Sequence, residues 1–199
     1  MVDVAFPMIE DYIPASTMTT RGDMVTRDAS EPIRLAVGSA NTILRSDGTD
    51  PSWGGLEGVL ALVRTEKAAA SQSIPAGAWT KVAFDVETWD NKNIYDTGTY
   101  RCTPSNAGKY IVYIIVQWET IASGKNFYVA IYNNGVIGSY SRRNLTNSAV
   151  TNYSMTISSM ETMNGSTDYI EAYVYQGDTV ARNIMTGGNA SYMFIIGPF

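Results

Sequence analysis

The acidic residues are the side chains of this sequence with the clearest capacity for chemistry. None of the 199 residues is histidine, which excludes the Ser-His-Asp and Cys-His arrangements and removes the most common general base. Two carboxyl groups that face each other across a groove could still hydrolyse a glycosidic bond. Most of the acidic residues that could pair in this way fall at turns or on the polar side of predicted strands, so we expect no enzyme activity. They are Asp85, Glu87, Asp90, Asp96, Glu119, Glu161, Asp168 and Glu171.

A second suggestive stretch is Arg21-Gly22-Asp23, the tripeptide that many extracellular ligands present to integrins. An adhesion ligand is therefore one hypothesis for this chain. Glycine followed by aspartate is also typical of a tight turn. The tripeptide alone does not decide between the two interpretations.

Composition excludes several classes of partner. The formal net charge is −5 and the 14 Lys and Arg residues are scattered, so there is no basic patch for nucleic acid. The single cysteine, Cys102, cannot close an intrachain disulfide or a zinc site, and we expect it to be buried. No apolar run approaches the roughly 18 residues of a membrane span, and the start lacks a signal-peptide pattern. We therefore expect synthesis in a cytoplasm, no membrane insertion, and neither a metal nor another cofactor.

From about Gly58 onward, short β-type segments alternate with turn residues. Residues 80–86, TKVAFDV, alternate in polarity and predict one strand with Val86 on its apolar face. Residues 110–118, YIVYIIVQW, are apolar on both faces, which is typical of a strand covered on each side or lying between a core and a subunit contact. Asn134-Gly135 between apolar runs predicts a hairpin. The succession predicts an all-β sandwich or jelly roll.

The first 57 residues have a different composition. Residues 1–20 mix apolar side chains and prolines without a regular period, so we predict an anchor peptide that becomes ordered by binding. Residues 21–56 contain several glycines and only brief apolar pieces. Because so little apolar surface cannot offset the entropy of ordering an isolated chain, we predict that several chains intertwine here in a stalk.

Residues 21–55 resemble a motif repeated in bacteriophage tail-fibre and head-fibre proteins. Glu31 departs from the pattern, since the family more often has glycine there. The resemblance implies a stalk in which Gly22-Asp23 forms the first turn, with Arg21 and Asp23 available for contacts between chains. The matching positions are Arg21, Gly22, Asp23, Arg27, Asp28, Pro32, Arg34, Leu35, Gly38, Leu44, Ser46, Asp47, Gly48, Pro51, Ser52, Trp53 and Gly54.

Residues 57–199 resemble the C1q-like head domain of the C1q and tumour-necrosis-factor superfamily. The resemblance is carried by the order of several short pieces, among them QSIP at 72–75, YNNG at 132–135, QGDTV at 176–180 and SYMF at 191–194. It implies a ten-stranded jelly roll that assembles as a compact homotrimer through its inner sheet. Three tyrosines are candidates for the three-fold axis, with ordinary monomer core as the open alternative for each: Tyr110, Tyr113 and Tyr173.

Together the two resemblances imply a virion structural protein made in the host cytoplasm: a short homotrimeric fibre on the outside of a capsid or tail. Its parts are an anchor (1–20), a stalk (21–56) and a head (57–199) that binds a host glycan or protein. Anchor residues predicted to dock on the virion are Phe6, Met8, Ile9 and Tyr12. Stalk residues predicted to pack in the trimer are Leu35, Leu44 and Trp53. Head residues predicted to recognise a surface are Trp89, Tyr95, Tyr140, Arg142 and Arg143.

Three alternatives stay open at this point. A decoration or joining protein would contact only other virion proteins, and the shortness of the stalk favours it. A fibre-borne glycan hydrolase would show a carboxylate pair in a groove. An adhesion ligand would use Arg21-Gly22-Asp23.

Overall fold

The computed structural model describes residues 18–27, 32–46, 48–55, 60–144, 146, 148–187 and 189–199. The chain divides into two compact units, Met1–Gly58 and Val59–Phe199. Every regular element within the described residues is a β-strand. That part of the chain contains no helix long and apolar enough to cross a membrane.

Two antiparallel hairpins make up the described part of the first unit. Strand β1 (Met24–Arg27) pairs with β2 (Pro32–Leu35), and β3 (Ile43–Ser46) pairs with β4 (Pro51–Gly54). The indole of Trp53 lies against Gly38, where an added Cβ would come within 2.5 Å of the ring. Its Nε1 donates to the Ala36 carbonyl oxygen at 2.7 Å. Trp53 therefore ties the second hairpin to the segment that follows the first.

The second unit consists of two antiparallel sheets. The first sheet contains β5 (Ala61–Glu66), β6 (Gln72–Ile74), β8 (Val86–Asp90), β11 (Ala107–Ile121), β14 (Val150–Asn164), β16 (Arg182–Ile184) and β17 (Tyr192–Gly197). Its order is β6-β16-β11-β17-β5-β8, and β14 pairs with the other edge of β11.

The second sheet contains β7 (Thr80–Lys81), β9 (Tyr95–Asp96), β10 (Arg101–Cys102), β12 (Asn126–Asn133), β13 (Val136–Asn144) and β15 (Ile170–Gln176). Its order is β13-β12-β15-β10-β9, and β7 pairs with β15.

The hydrophobic core lies between these two sheets. Side chains point alternately to the two faces of a strand, and on β11 those from Tyr110 to Trp118 at even positions are buried. On the facing β12 the buried side chains include Phe127, whose ring lies edge-on to that of Trp118 at a centroid distance of 5.0 Å. Cys102 is fully buried in this core, as predicted.

The predicted strand over residues 80–86 is wrong as a single element. Strand β7 ends at Lys81 in the second sheet, whereas β8 begins at Val86 in the first. Between them the chain crosses from one sheet to the other, because the N–H of Val82 donates to β15 and that of Asp85 donates to β5. Val86 is consequently 41% exposed instead of lying in the core.

The predicted hairpin at Asn134-Gly135 is confirmed. It joins β12 to β13, with φ of 53° at Asn134 and 77° at Gly135. Two consecutive positive φ values are those of the type I′ turn, whose twist matches the flanking strands.

Candidate functional site

The outer side of the first sheet, facing away from the core, carries a second apolar surface. Antiparallel partners share one side of a sheet, so the register arranges these residues in three transverse rows. The rows are Leu62–Ile196–Ile111–Met160, Arg64–Phe194–Tyr113–Ser158 and Glu66–Tyr192–Ile115–Thr156. We call this surface the β11 face. Strand β11 is thus apolar on both sides, one against the core and one toward solvent in the single chain.

The two charged groups of the β11 face, Arg64 and Glu66, lie together on its β5 side. Arg64 lies over the Tyr192 ring, 4.4 Å from its centroid, and its Nε donates to Glu66 Oε1 at 2.9 Å. The Tyr113 and Tyr192 rings are 6.0 Å apart, and burial together with Tyr192 raises the pKa of Tyr113. On the opposite side, Ile111 is 38% exposed and Met160 56%. Removal of these aliphatic groups from water lowers the free energy. An exposed apolar surface of this kind is typical of a contact with another apolar surface.

The three tyrosines predicted for a three-fold axis do not share one surface. Tyr110 is 1% exposed and its hydroxyl donates to the Asn106 carbonyl oxygen at 2.9 Å, so it belongs to the monomer core and the axis prediction is wrong for it. Tyr173 lies on β15 in the second sheet, on a surface that Tyr113 does not share, so one axis cannot contain both. Tyr113 lies on the β11 face, and its axis role stays a prediction.

The outer side of the second sheet carries a cluster of aromatic rings, which we call the aromatic face. Tyr132 stacks on Tyr173 at a centroid distance of 4.0 Å, and Tyr128 contacts Tyr140 at 5.7 Å. Two further rings, Trp79 and Tyr175, pack against Tyr128. A sequence signal for this face exists, because Tyr128 and Tyr132 occupy the phase opposite to the buried Phe127, Val129 and Ile131.

The predicted recognition residues are distributed over different parts of the head. Tyr140 is 60% exposed on the aromatic face, and Arg142, which pairs with Tyr128 across the strands, lies on the same side. Arg143 is exposed and pairs with the inward-facing Phe127, and Trp89 is 58% exposed on β8 of the other sheet. Tyr95 is only 4% exposed, so the prediction that it recognises a surface is wrong. Its hydroxyl donates to the Phe84 carbonyl oxygen at 2.9 Å, and burial raises its pKa.

Several of the acidic residues that could form a catalytic pair are engaged in structural contacts. Glu171 is 2% exposed and binds Lys81 and Arg101, and Asp85 binds Lys67. Asp90 accepts hydrogen bonds from the backbone N–H groups of Ile94 and Tyr95, both at 2.7 Å. Among the described residues, no group of three or more His, Cys, Asp or Glu side chains could hold a metal ion.

One open cleft is nevertheless lined by two carboxyl groups, those of Glu87 and Asp96. Burial and the charges of Asp90 and Asp96 raise the pKa of Glu87. Hydrogen bonds from the Thr99 hydroxyl and the Gly98 N–H lower the pKa of Asp96. Both Asp96 oxygens are therefore engaged in its own turn, at 2.8 Å and 2.7 Å. This cleft is where the hydrolase hypothesis would have to be tested.

The Arg21-Gly22-Asp23 stretch forms a turn, as predicted, with the Asp23 N–H donating to the Thr20 carbonyl oxygen and φ of 95° at Gly22. The Asp23 side chain is not exposed: it accepts from Arg34 Nε at 2.7 Å and from the Val37 N–H at 2.9 Å. The Arg34 hydrogen bond outweighs burial and lowers the Asp23 pKa. The prediction that Asp23 is available for contacts between chains is wrong, and an adhesion ligand would need that same carboxylate exposed.

The other predicted sites of the first unit have mixed outcomes. Leu44 is 45% exposed, and Leu35 and Trp53 are half-buried, with the Trp53 indole bonded within its own chain. Their packing in a trimer stays a prediction. The predicted docking residues, Phe6, Met8, Ile9 and Tyr12, lie outside the described residues.

Comparison with solved structures identifies the architecture of the head. Murine APRIL aligns at a TM-score of 0.51 with 9% identity, covering 69% of this chain and 98% of its own. Eiger TNF from S. frugiperda aligns at 0.50 with 9% identity, covering 71% and 92%. The head is a C1q/TNF-like jelly roll. The predicted all-β, C1q/TNF-like fold of the head is thereby confirmed, with thirteen described strands where ten were predicted.

A viral protein has the same fold. The vertex protein P5 of phage PRD1 aligns at a TM-score of 0.52 with 12% identity, covering 84% of this chain and 86% of its own. At these identities the likeness shows the fold alone. The sequence matches no family model and no curated protein.

Proposed function

We propose that this chain is a bacteriophage virion structural protein, a short homotrimeric head or tail fibre whose C1q/TNF-like head attaches the particle to its host. The observation that carries the proposal is the β11 face, an apolar surface on the side of the sheet opposite to the core. A phage vertex protein has the same fold, which supports the proposal that this chain is part of a virion. The fibre motif of residues 21–55 supports the stalk.

The apolar β11 face supports assembly of copies through it, and the resemblance to the C1q and tumour-necrosis-factor superfamily supports the number three. Every chain can meet another copy of itself, so a second β11 face is an available partner. A closed ring of copies would bury the β11 face of each chain. The first unit also exposes apolar side chains in the single chain, among them Val37 at 47% and Leu44 at 45%. Three chains that intertwine would cover these groups too.

Attachment by a trimer relies on multiplicity. Three modest sites on one rigid head, repeated over many fibres, hold a cell surface without any single tight contact. The N-terminal segment would dock on the capsid or tail, and the work of the protein would be binding, without catalysis. The alternative of a decoration or joining protein shares the assembly and differs in what the head contacts.

The mass of the purified protein in solution tests the assembly. Light scattering should give about 65 kDa, three times the 21.7 kDa of the chain. Phe194→Asp on the β11 face should give monomers, because it places charges in the proposed contact. Val136→Asp, at the first residue of β13 and 69% exposed, is the matched control and should stay trimeric. A monomeric wild-type protein would contradict the proposal.

A second experiment separates attachment from decoration. Labelled full-length protein is incubated with a panel of bacterial strains, and cell-bound fluorescence is counted. Binding to at least one strain supports attachment. Absence of binding to every strain, combined with trimeric mass and binding to phage particles that lack the protein, supports the decoration alternative.

A further inference from the structure

The aromatic face contains a cleft that the proposed assembly does not use. Its lining residues are Trp79, Asn126, Tyr128, Tyr175 and Gly177, and it encloses about 360 Å³. That volume lies within the range of roughly 300–1,000 Å³ typical of small-molecule sites. The cleft is on the second sheet, whereas the β11 face is on the first.

Three rings form the walls of this cleft. Trp79 contacts Tyr128 at a centroid distance of 5.6 Å and Tyr175 at 5.5 Å, and Tyr128 contacts Tyr175 at 5.5 Å. The rings are inclined to one another by 61°, 49° and 86° in the same order, so they pack edge to face as one cluster that lines the cleft. Because each ring packs against the other two, little side-chain freedom is left to lose when a ligand binds.

The polar groups of the cleft lie beside the rings. Asn144 Nδ2 donates to Asn126 Oδ1 at 3.0 Å, which fixes the Asn126 amide and leaves its NH₂ group as a donor. The Tyr128 and Tyr175 hydroxyls and the Trp79 indole N–H are further groups capable of hydrogen bonding. None of the five lining residues carries a charge.

This combination matches one class of ligand. A pyranose ring presents flat faces of C–H groups, which pack on aromatic rings, and a rim of hydroxyls, which exchange hydrogen bonds with amides and phenols. None of the five lining residues offers a cation to an anionic sugar or a nucleotide, and the exposed Arg142, which pairs with Tyr128, lies outside the lining. We propose that the cleft binds a neutral pyranose unit of a host surface glycan, an inference that rests on the proposed attachment function and names its ligand.

An array of immobilised polysaccharides tests the site with the full-length protein. Neutral dextran, mannan, galactan and β-glucan, together with neutral bacterial O-polysaccharides, are printed beside the anionic hyaluronan and colominic acid. We expect binding to at least one neutral polysaccharide. Trp79→Ala and Tyr175→Ala should each lower the apparent affinity at least about tenfold, as expected for an aromatic anchor at the centre of a site.

Two further variants keep the result interpretable. Phe199→Ala removes an aromatic ring that is 61% exposed outside the cleft, and it should bind as the wild type does. Trp79→Phe retains a ring and should keep more affinity than Trp79→Ala at an unchanged thermal midpoint. The inference is overturned by wild-type protein that binds no neutral polysaccharide, by preference for anionic polysaccharides, or by a Trp79→Ala variant of undiminished affinity.

Whole-cell attachment, measured with the same variants, separates this inference from the proposed function. Equal attachment of the wild type and Trp79→Ala would refute the cleft and leave attachment standing. Attachment by neither protein, at trimeric mass, would refute attachment itself.

Discussion

Truncation of Glu171 should measurably destabilise the head, because this buried carboxylate joins three strands of the second sheet. Its side chain is 2% exposed on β15, and Oε1 accepts from Lys81 Nζ at 2.6 Å and from Arg101 Nε and Nη2 at 3.1 Å and 3.0 Å. Lys81 is the last residue of β7 and Arg101 is the first residue of β10. One acceptor atom therefore holds two cations from two neighbouring strands.

The size of the effect follows from the exposure of the partners. Breaking a buried ion pair costs about 3–5 kcal/mol when the remaining charge stays buried. The Lys81 and Arg101 side chains are 26% and 36% exposed, so water partly replaces the lost carboxylate. We expect Glu171→Ala to lower the free energy of unfolding by about 3 kcal/mol, which corresponds to a fall of roughly 10 °C in Tm for a domain of this size. Glu171→Gln keeps an oxygen acceptor and should lose about half as much.

Urea unfolding at pH 7, followed by tryptophan fluorescence at one fixed protein concentration, measures these differences. Glu119→Ala is the matched control, because Glu119 accepts one hydrogen bond from a neutral donor, Asn183 Nδ2, at 3.0 Å. That variant should lose no more than about 1 kcal/mol. Equal losses in Glu171→Ala and Glu119→Ala would refute the argument that the two cations make Glu171 special.

Three other predictions follow from single carboxyl groups. Burial alone would raise the Asp85 pKa, but hydrogen bonds from Lys67 Nζ and from the Ala68 and Ala69 N–H groups lower it below 3.8. The stabilisation is thus present above pH 3.8 and lost as the pH falls below it, so Tm measured from pH 7 down to pH 2 should fall less steeply in Asp85→Asn. Asp23→Asn should make the first unit more sensitive to limited proteolysis, whereas Arg21→Ala should not. Neither variant should change attachment to integrin-bearing cells, and a loss of such attachment in either would support the adhesion hypothesis. Incubation with surface polysaccharides should release no reducing sugar, and release that Glu87→Gln abolishes would establish the hydrolase instead.

The fold was predictable because its signals are local. The Asn134-Gly135 turn depends on residues that are close in sequence, and so does each short piece that resembles the C1q-like head. The crossing at residues 82–85 depends on distant partners, since Val82 bonds to β15 and Asp85 to β5. An alternating pattern of polarity does not show that a chain changes from one sheet to the other. The position of Val86 could therefore not be predicted from its spacing.

The site was harder to predict for a different reason. Trp89, Tyr95 and Tyr140 are all aromatic, and their residue type alone does not reveal which of them is buried. Tyr95 is buried in the core, where its hydroxyl donates to the carbonyl oxygen of Phe84, 11 positions away in the sequence. Trp79 lies on the aromatic face because its ring packs against Tyr128 of β12 and Tyr175 of β15. Only the register between these strands brings the lining of the cleft together.

The two outer surfaces of the head differ in a way that bears on their proposed roles. The β11 face presents Ile111, Ile115 and Phe194, which have no polar atoms in their side chains and gain only from contact with another apolar surface. The aromatic face presents tyrosines, whose hydroxyls keep their hydrogen bonds with water or with the rim of a sugar. A strand that is apolar on both sides, such as β11, therefore suits a protein contact. A strand with apolar residues inside and tyrosines outside, such as β12, suits a surface that stays wet. Charge at Phe194 should accordingly disrupt assembly and leave the cleft intact, while truncation of Tyr175 should do the reverse, so light scattering and polysaccharide binding by these two variants test whether the surfaces act separately.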